Sequence, residues 1–227
     1  MKLILSYPRS GSHLCRFFIE LLSEKPTISK FSKRDSSLYL NDYSMNIPFN
    51  ISSDNIKKND NLDDCFKFYH SLNKSMSDYN QKNNTLIIII RNPNEVLLRH
   101  TRNKIQYDRW DGFNEYFNII TQYKNFKGKK LLLYYEDILN NKVHFIIQLY
   151  NFIEVKNRDK LKYVLKNLDE LWNASLNGKK RYWGGNKSNN EINYYYKSID
   201  SSIKEEFDNY IKKKLHEFPY IKKKYNL

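Results

Sequence analysis

Four short apolar runs punctuate the chain, and three of them lead into apolar positions at helical spacing. Leu3-Ile4-Leu5 is followed by Tyr7-Pro8-Arg9-Ser10-Gly11-Ser12 and then by Leu14, Phe17, Phe18, Leu21 and Leu22. That spacing predicts a strand, a tight Gly-containing loop and a helix. Cys65–Tyr69 is a weaker strand candidate that ends at His70. Leu86–Ile90 is aliphatic throughout and nearly all Ile, the pattern of a strand covered on both faces. Arg91 ends it. Asn92-Pro93 then supplies a cap and a first turn for a helix carrying Val96, Leu97, His100 and Ile105. Lys130–Tyr134 predicts another strand, after which Glu136-Asp137 opens a helix through about Val155. Further helices are predicted over 113–126, 159–176 and 197–217.

Two stretches lack this order. Residues 25–63 are rich in Ser, Asn and Asp with little periodicity, which predicts a long irregular insertion with at most one short helix. Residues 177–190 break the helical pattern with Gly178, Gly184 and Gly185 among Lys179, Lys180, Arg181 and Lys187, and the tail Lys222–Lys224 is basic. Strands alternating with helices predict a three-layer α/β/α architecture around a mostly parallel central sheet, formed by one domain over 1–227.

Composition narrows this picture. Hydrophobic residues make up 40% of the 227 positions and aromatics 15%, enough for one sizeable core. The net charge of +14 favours anionic partners, but it does not separate nucleic acid, membrane and phosphorylated small molecules. Heavy use of Lys, Asn, Ile and Tyr is also the mark of an AT-rich genome, which raises the basic count without any function. No apolar run approaches the ~18 residues of a membrane-spanning helix. The N-terminal run is too short for a signal peptide. Cys15 and Cys65 have neither zinc spacing nor the makings of a disulfide framework. A soluble, cytoplasmic protein is expected.

Candidate chemistry sits at the strand ends. A short loop between the first strand and first helix aims backbone N–H groups and the positive helix end at one point, an anion site. Arg9 adds a charge there and Ser10 and Ser12 add hydroxyls. The bland alternative is an ordinary turn capped by Ser10 or Ser12. No G-x-x-x-x-G-K-[ST] is present, so the loop is not a Walker A motif. In open parallel sheets ligands lie beyond the carboxyl ends of the strands, which would set Arg91 beside Pro8–Ser12 if their strands are neighbours. Arg99 and Arg102 share a face of the following helix, as anion ligands or as mere solvation.

Together, Tyr7–Ser12, Arg91-Asn92-Pro93 with its helix, and Tyr134-Tyr135-Glu136-Asp137 after a strand resemble the sulfotransferases that use 3′-phosphoadenosine 5′-phosphosulfate (PAPS) as donor. The resemblance covers most of the chain by the order of these landmarks, and about twenty positions by identity. It implies a P-loop-like sulfotransferase fold, with Arg9, Ser10, Gly11, Ser12 and His13 on the 5′-phosphosulfate. Arg91 and Arg99 would take the 3′-phosphate and Tyr135 would lie near the nucleoside. The family's second motif carries a serine where Arg99 stands here, and its first motif a hydroxyl where His13 stands. Its late basic loop closing on the nucleotide finds its nearest counterpart in Lys180 and Arg181. The family also places a histidine general base at a strand end between the first two motifs, and His70 is the match.

The implied activity is metal-free transfer of a sulfuryl group to a hydroxyl or amine of a small-molecule or glycan acceptor, leaving adenosine 3′,5′-bisphosphate (PAP). Catalysis would rest on His70 and Arg9. Tyr39, Tyr43, Phe49, Tyr107, Trp110 and Tyr116 are candidates to line the acceptor cleft, or are simply core. Two other classes fit the composition. One is a P-loop-type phosphotransferase, disfavoured by the missing Gly-Lys-Ser/Thr ending and the missing Asp after Leu86–Ile90. The other is a nucleic-acid-binding module, disfavoured because the basic residues are spread along the chain.

Overall fold

The computed structural model describes residues 1–25, 27–29, 65–70, 79–101, 110–183, 194–197 and 199–227. Its centre is a sheet of five strands: β1 (Lys2–Ser6), β2 (Thr27–Ser29), β3 (Phe66–Tyr69), β4 (Thr85–Ile90) and β5 (Lys129–Tyr134). All are parallel, in the order β2-β3-β1-β4-β5. The helices are α1 (Ser12–Ser23), α2 (Pro93–Thr101), α3 (Trp110–Asn125), α4 (Tyr135–Asn140), α5 (Lys142–Phe152) and α6 (Arg158–Lys166). They continue with α7 (Leu168–Trp183), α8 (Tyr194–Lys197), α9 (Ser201–Leu215) and α10 (Pro219–Tyr225).

Alternate residues of the same strands feed two separate cores. Ile4, Ile87, Ile89 and Leu133 pack with α1, α5, α6 and α7 on one face. Leu3, Leu5, Leu86, Ile88 and Ile90 pack with α2, α3, α9 and α10 on the other. This accounts for the unbroken aliphatic run of β4: a strand covered on both faces gains about 1.5–3 kcal/mol per buried side chain whichever way that side chain points. The architecture is therefore three-layer α/β/α with an all-parallel sheet. Among the described residues, no helix is long and apolar enough to cross a membrane.

The elements depart from the pattern-based expectation where tertiary contacts decide. β2 lies inside the stretch expected to be irregular. Its Thr27 is held by α1: Arg16 Nε donates to the hydroxyl at 2.7 Å and Nη2 to the carbonyl at 3.1 Å. Glu20 Oε1 accepts from the Thr27 N–H at 2.9 Å and from its hydroxyl at 2.5 Å. Both charged side chains are buried, so breaking this set strands a charge and costs several kcal/mol. The helix expected through Val155 is two helices, because the Asn141 side chain accepts from the His144 N–H and starts α5 afresh. Helix 159–176 is likewise split at Asn167 and then runs on through Gly178 to Trp183. The basic tail forms α10, with Pro219 opening it and Ile221 buried beneath it.

Candidate active site

β3, β1 and β4 lie side by side, and their carboxyl ends stand level: Leu5 pairs with Tyr69, and Ser6 with Ile89. The residues just past these strands therefore meet at one edge of the sheet. After β1 comes Tyr7–Gly11, after β3 His70, and after β4 Arg91. Chain order reverses direction across β1, with β3 on one side and β4 on the other, and at such a switch point parallel sheets open a crevice.

The loop after β1 is built by two left-handed residues, Arg9 at φ 72° and Gly11 at φ 94°. A non-glycine residue there costs about 1 kcal/mol or more, so Arg9 stores strain. The Ser10 N–H closes the turn on the Tyr7 carbonyl at 3.2 Å. Gly11 is required twice over, since a Cβ there would lie 2.8 Å from Cε2 of Tyr135 and closer still to Cδ2. Gly11 is also the N-cap of α1, and no side chain of the described residues caps that helix. The ordinary serine-capped turn is therefore not what the chain forms. Ser10 is fully buried, and its Oγ has no hydrogen-bond partner among the described residues. An orphaned hydroxyl beside an uncapped helix start can receive an anion.

His70 stands 3.0 Å, through Nδ1, from the Ser6 carbonyl oxygen. A carbonyl only accepts, so Nδ1 carries a proton, and in the neutral ring the lone pair then belongs to Nε2. The Phe68 and His70 rings pack nearly perpendicular with centroids 4.8 Å apart. In its neutral form, an imidazole whose Nδ1–H is engaged by a backbone carbonyl presents Nε2 as the nitrogen that can take a proton.

Arg91 lies across the loop. Its Nη1 donates to the Arg9 carbonyl at 3.4 Å, its guanidinium sits 4.6 Å from the centre of the Tyr135 ring, and Nη2 is 3.5 Å from Glu95 Oε1. Arg99 Nη1 reaches the same carboxylate oxygen at 3.6 Å. One buried carboxylate thus sits between two guanidiniums spaced a helical turn to either side of it. Burial pulls the Arg91 guanidinium below its ordinary range; Tyr135 opposes the shift, Arg99's charge adds to it and Glu95 resists it. The peptide joining Arg91 to Asn92 is held at both ends. Tyr116 Oη donates to its carbonyl at 2.8 Å, and its N–H donates to Glu136 Oε1 at 2.9 Å.

Arg9, Ser10, Gly11, Ser12 and His13 fall in the loop and the first turn of α1, and His70, Arg91, Arg99 and Tyr135 stand around them. Lys180 and Arg181 correct an expectation: they belong to α7, not to a loop after a break, and their side chains lie outside the described residues. Arg102 also lies outside them, as do Tyr39, Tyr43, Phe49, Tyr107 and the Trp110 side chain. Of the two readings open for Tyr116, the core one holds: it is fully buried with its hydroxyl on the Arg91 carbonyl. Glu95 is absent from the residues expected at the site, and the roles of Glu136 and Tyr116 in holding the Arg91–Asn92 peptide were not expected. Glu95 had a signal, standing four residues from each arginine; the others act across long separations that no spacing rule reports. A cavity of about 340 Å³ bordered by Lys2, Lys25, Phe66, Lys156 and Lys160 lies at the opposite, amino ends of the strands. It takes no part in this site.

No family model matches the chain, and no curated protein sequence matches it. Solved structures do. Mouse sulfotransferase SULT7A1 complexed with PAP is similar over 97% of this chain and 85% of its own, with a TM-score of 0.57 at 13% identity. Retinol dehydratase in a complex with retinol and PAP is similar over 94% of this chain and 80% of its own, with a TM-score of 0.56 at 15% identity. The same enzyme with androsterone and PAP gives a TM-score of 0.55. The chain has a sulfotransferase-like fold.

Proposed function

We propose that this protein is a PAPS-dependent sulfotransferase. The observation that carries the proposal is the meeting of the Tyr7–Gly11 loop, His70 and Arg91 at the carboxyl ends of three adjacent parallel strands. The PAP bound to the fold neighbours supports the choice of nucleotide. The residues fit it: the loop offers an orphaned buried hydroxyl at Ser10 and a glycine where a side chain cannot stand, while Arg91 and Arg99 offer a second cationic point.

When bound, the donor supplies a sulfuryl group on a phosphate leaving group. Ser10, Gly11, Ser12 and His13 would hold the 5′ end, with Arg9 offsetting charge that develops there in the transition state. Arg91 and Arg99 would hold the 3′-phosphate with charge-assisted hydrogen bonds. Glu95 keeps their mutual repulsion down until the phosphate arrives. Lys180 and Arg181 remain candidates to close on the nucleotide from α7. His70, with Nδ1 committed to the Ser6 carbonyl, would receive the acceptor's proton at Nε2. The acceptor is a hydroxyl (or amine) compound. Retinol and androsterone, bound by a fold neighbour, point to small molecules, while phenols and glycans suit the same chemistry.

The test is transfer from labelled PAPS to a panel of hydroxysteroids, phenols, tyrosyl peptides and desulfated glycans. Label in at least one product, abolished by Arg91→Ala, is expected. A protein that transfers phosphate from ATP-magnesium and nothing from PAPS would be a phosphotransferase instead.

A further inference from the structure

The peptide between Arg91 and Asn92 is gripped from two sides by residues far from it in sequence, and the grip continues to the end of the chain. Glu136 accepts the Asn92 N–H through Oε1, and its other oxygen, Oε2, accepts from the Tyr225 hydroxyl at 2.9 Å. Beside it, Lys224 Nζ reaches both oxygens of Asp137 at 2.6 and 2.7 Å. The Tyr225 ring packs edge-on against Tyr134, the last residue of β5, with centroids 6.1 Å apart. Neighbouring residues after β5 thus divide the work. Tyr135 stacks on the Arg91 guanidinium, Glu136 ties the Arg91–Asn92 peptide to α10, and Asp137 anchors α10 by an ion pair.

We infer that Tyr225 and Tyr116 are positioning residues for donor binding: they hold the Arg91–Asn92 peptide, through Glu136 and directly, so that Arg91 faces the 3′-phosphate. The inference rests on the donor assignment above and extends it to the C-terminal helix. A guanidinium leaving from the first residue after a strand swings with that residue's peptide plane. Engaging both polar groups of that peptide restrains its plane. Here the carbonyl is engaged by Tyr116 and the N–H by Glu136. A carboxylate bridging two donors is itself fixed in orientation, and Tyr225 is the outer donor that fixes Glu136. Neither hydroxyl points to the nucleotide site; one is spent on the Arg91 carbonyl and the other on Glu136. Their effect should therefore appear in recognition of the 3′-phosphate and not of the 5′ end, which is bound by the loop after β1.

The experiment is calorimetry of wild type, Tyr225→Phe and Tyr116→Phe with PAP and with adenosine 5′-phosphate, accompanied by thermal melting of each protein. Both variants keep the ring and lose only the hydroxyl. The expected result is PAP affinity lowered roughly three- to tenfold in each variant, as the loss of one hydrogen bond allows, with adenosine 5′-phosphate affinity unchanged within about twofold. Equal loss for both nucleotides, or a lowered melting temperature with the PAP preference intact, overturns the inference and leaves the two tyrosines as structural supports. A wild type with no PAP preference overturns the donor assignment itself, and the inference with it; the wild-type titration alone separates that failure from the others. Two independent variants guard against one of them failing to fold.

Discussion

Replacing Gly11 by alanine tests the loop after β1 in a single atom. The geometry imposes two separate costs. The first is conformational: φ is 94°, outside the range that a residue with a Cβ adopts comfortably, and the cost is about 1 kcal/mol. The second is steric: the new Cβ would press into the Tyr135 ring, 2.8 Å from Cε2. That ring is not at liberty to leave, because the Arg91 guanidinium lies 4.6 Å from its centroid. Forcing it aside is an overpacking change of about 1–3 kcal/mol. The sum is about 2–4 kcal/mol, which in a protein of this size lowers the melting temperature by roughly 5–15 °C. The assay is a double-mutant cycle in urea with Tyr135→Ala as the second change. Removing the ring should erase the steric part, so that Gly11→Ala costs only about 1 kcal/mol in that background, giving a coupling of about 1–3 kcal/mol. A Gly11→Ala cost below about 0.5 kcal/mol, or one that Tyr135→Ala leaves unchanged, would show that the loop does not pack as described.

The other predictions address chemistry, binding and pH. His70→Ala should leave PAP affinity nearly intact and lower transfer to an authentic acceptor by about 10²–10⁴; undiminished transfer would mean that the base is elsewhere. Arg99→Ala should weaken PAP binding by about 1.5–3 kcal/mol, with partial recovery in Arg99→Ser, as calorimetry would read; unchanged binding in both variants would return Arg99 to a helix-surface role. Burial pushes the Tyr7, Tyr116, Tyr134 and Tyr225 hydroxyls above their ordinary 10.0. Unfolded tyrosines release their protons near that value and the folded ones hold them, so this stability is whole below it and is lost as pH rises beyond it. Melting temperatures followed from about pH 8 to about pH 11 should fall steeply at the alkaline end, together with cooperative tyrosinate absorbance. Gradual titration without a fall would contradict the burial of these rings.

Much of the fold was legible because its signals are local. The aliphatic run of β4 could hardly be anything other than a strand covered on both faces, and the apolar spacing from Leu14 to Leu22 matched α1. The strand-end positions of Arg91 and His70 followed from the same runs. β2 escaped because Thr27–Ser29 carries no apolar pattern; it is placed by Arg16 and Glu20, which are specified on another element. The glycine at 178 suggested a break, but a glycine within a helix costs only about 1 kcal/mol, and α7 continues past it. α10 showed only as a basic tail because its lysines dominate, whereas Ile221 and Tyr225 tie it down. At the site, residue types at strand ends could be read directly. The partners that orient them could not: Tyr116, Glu136 and Tyr225 act across separations of 25, 44 and 89 residues.

The edge of the sheet beyond β3, β1 and β4 is proposed to bind a nucleotide carrying phosphates at both the 5′ and 3′ positions. Calorimetric titration of the intact protein with PAP, adenosine 5′-phosphate and ATP-magnesium tests it directly. PAP should bind at least about tenfold more tightly than either of the others, the worth of one charge-assisted phosphate contact, and Arg91→Ala should remove the preference. Equal affinity for PAP and adenosine 5′-phosphate, or a preference for ATP-magnesium, would contradict it.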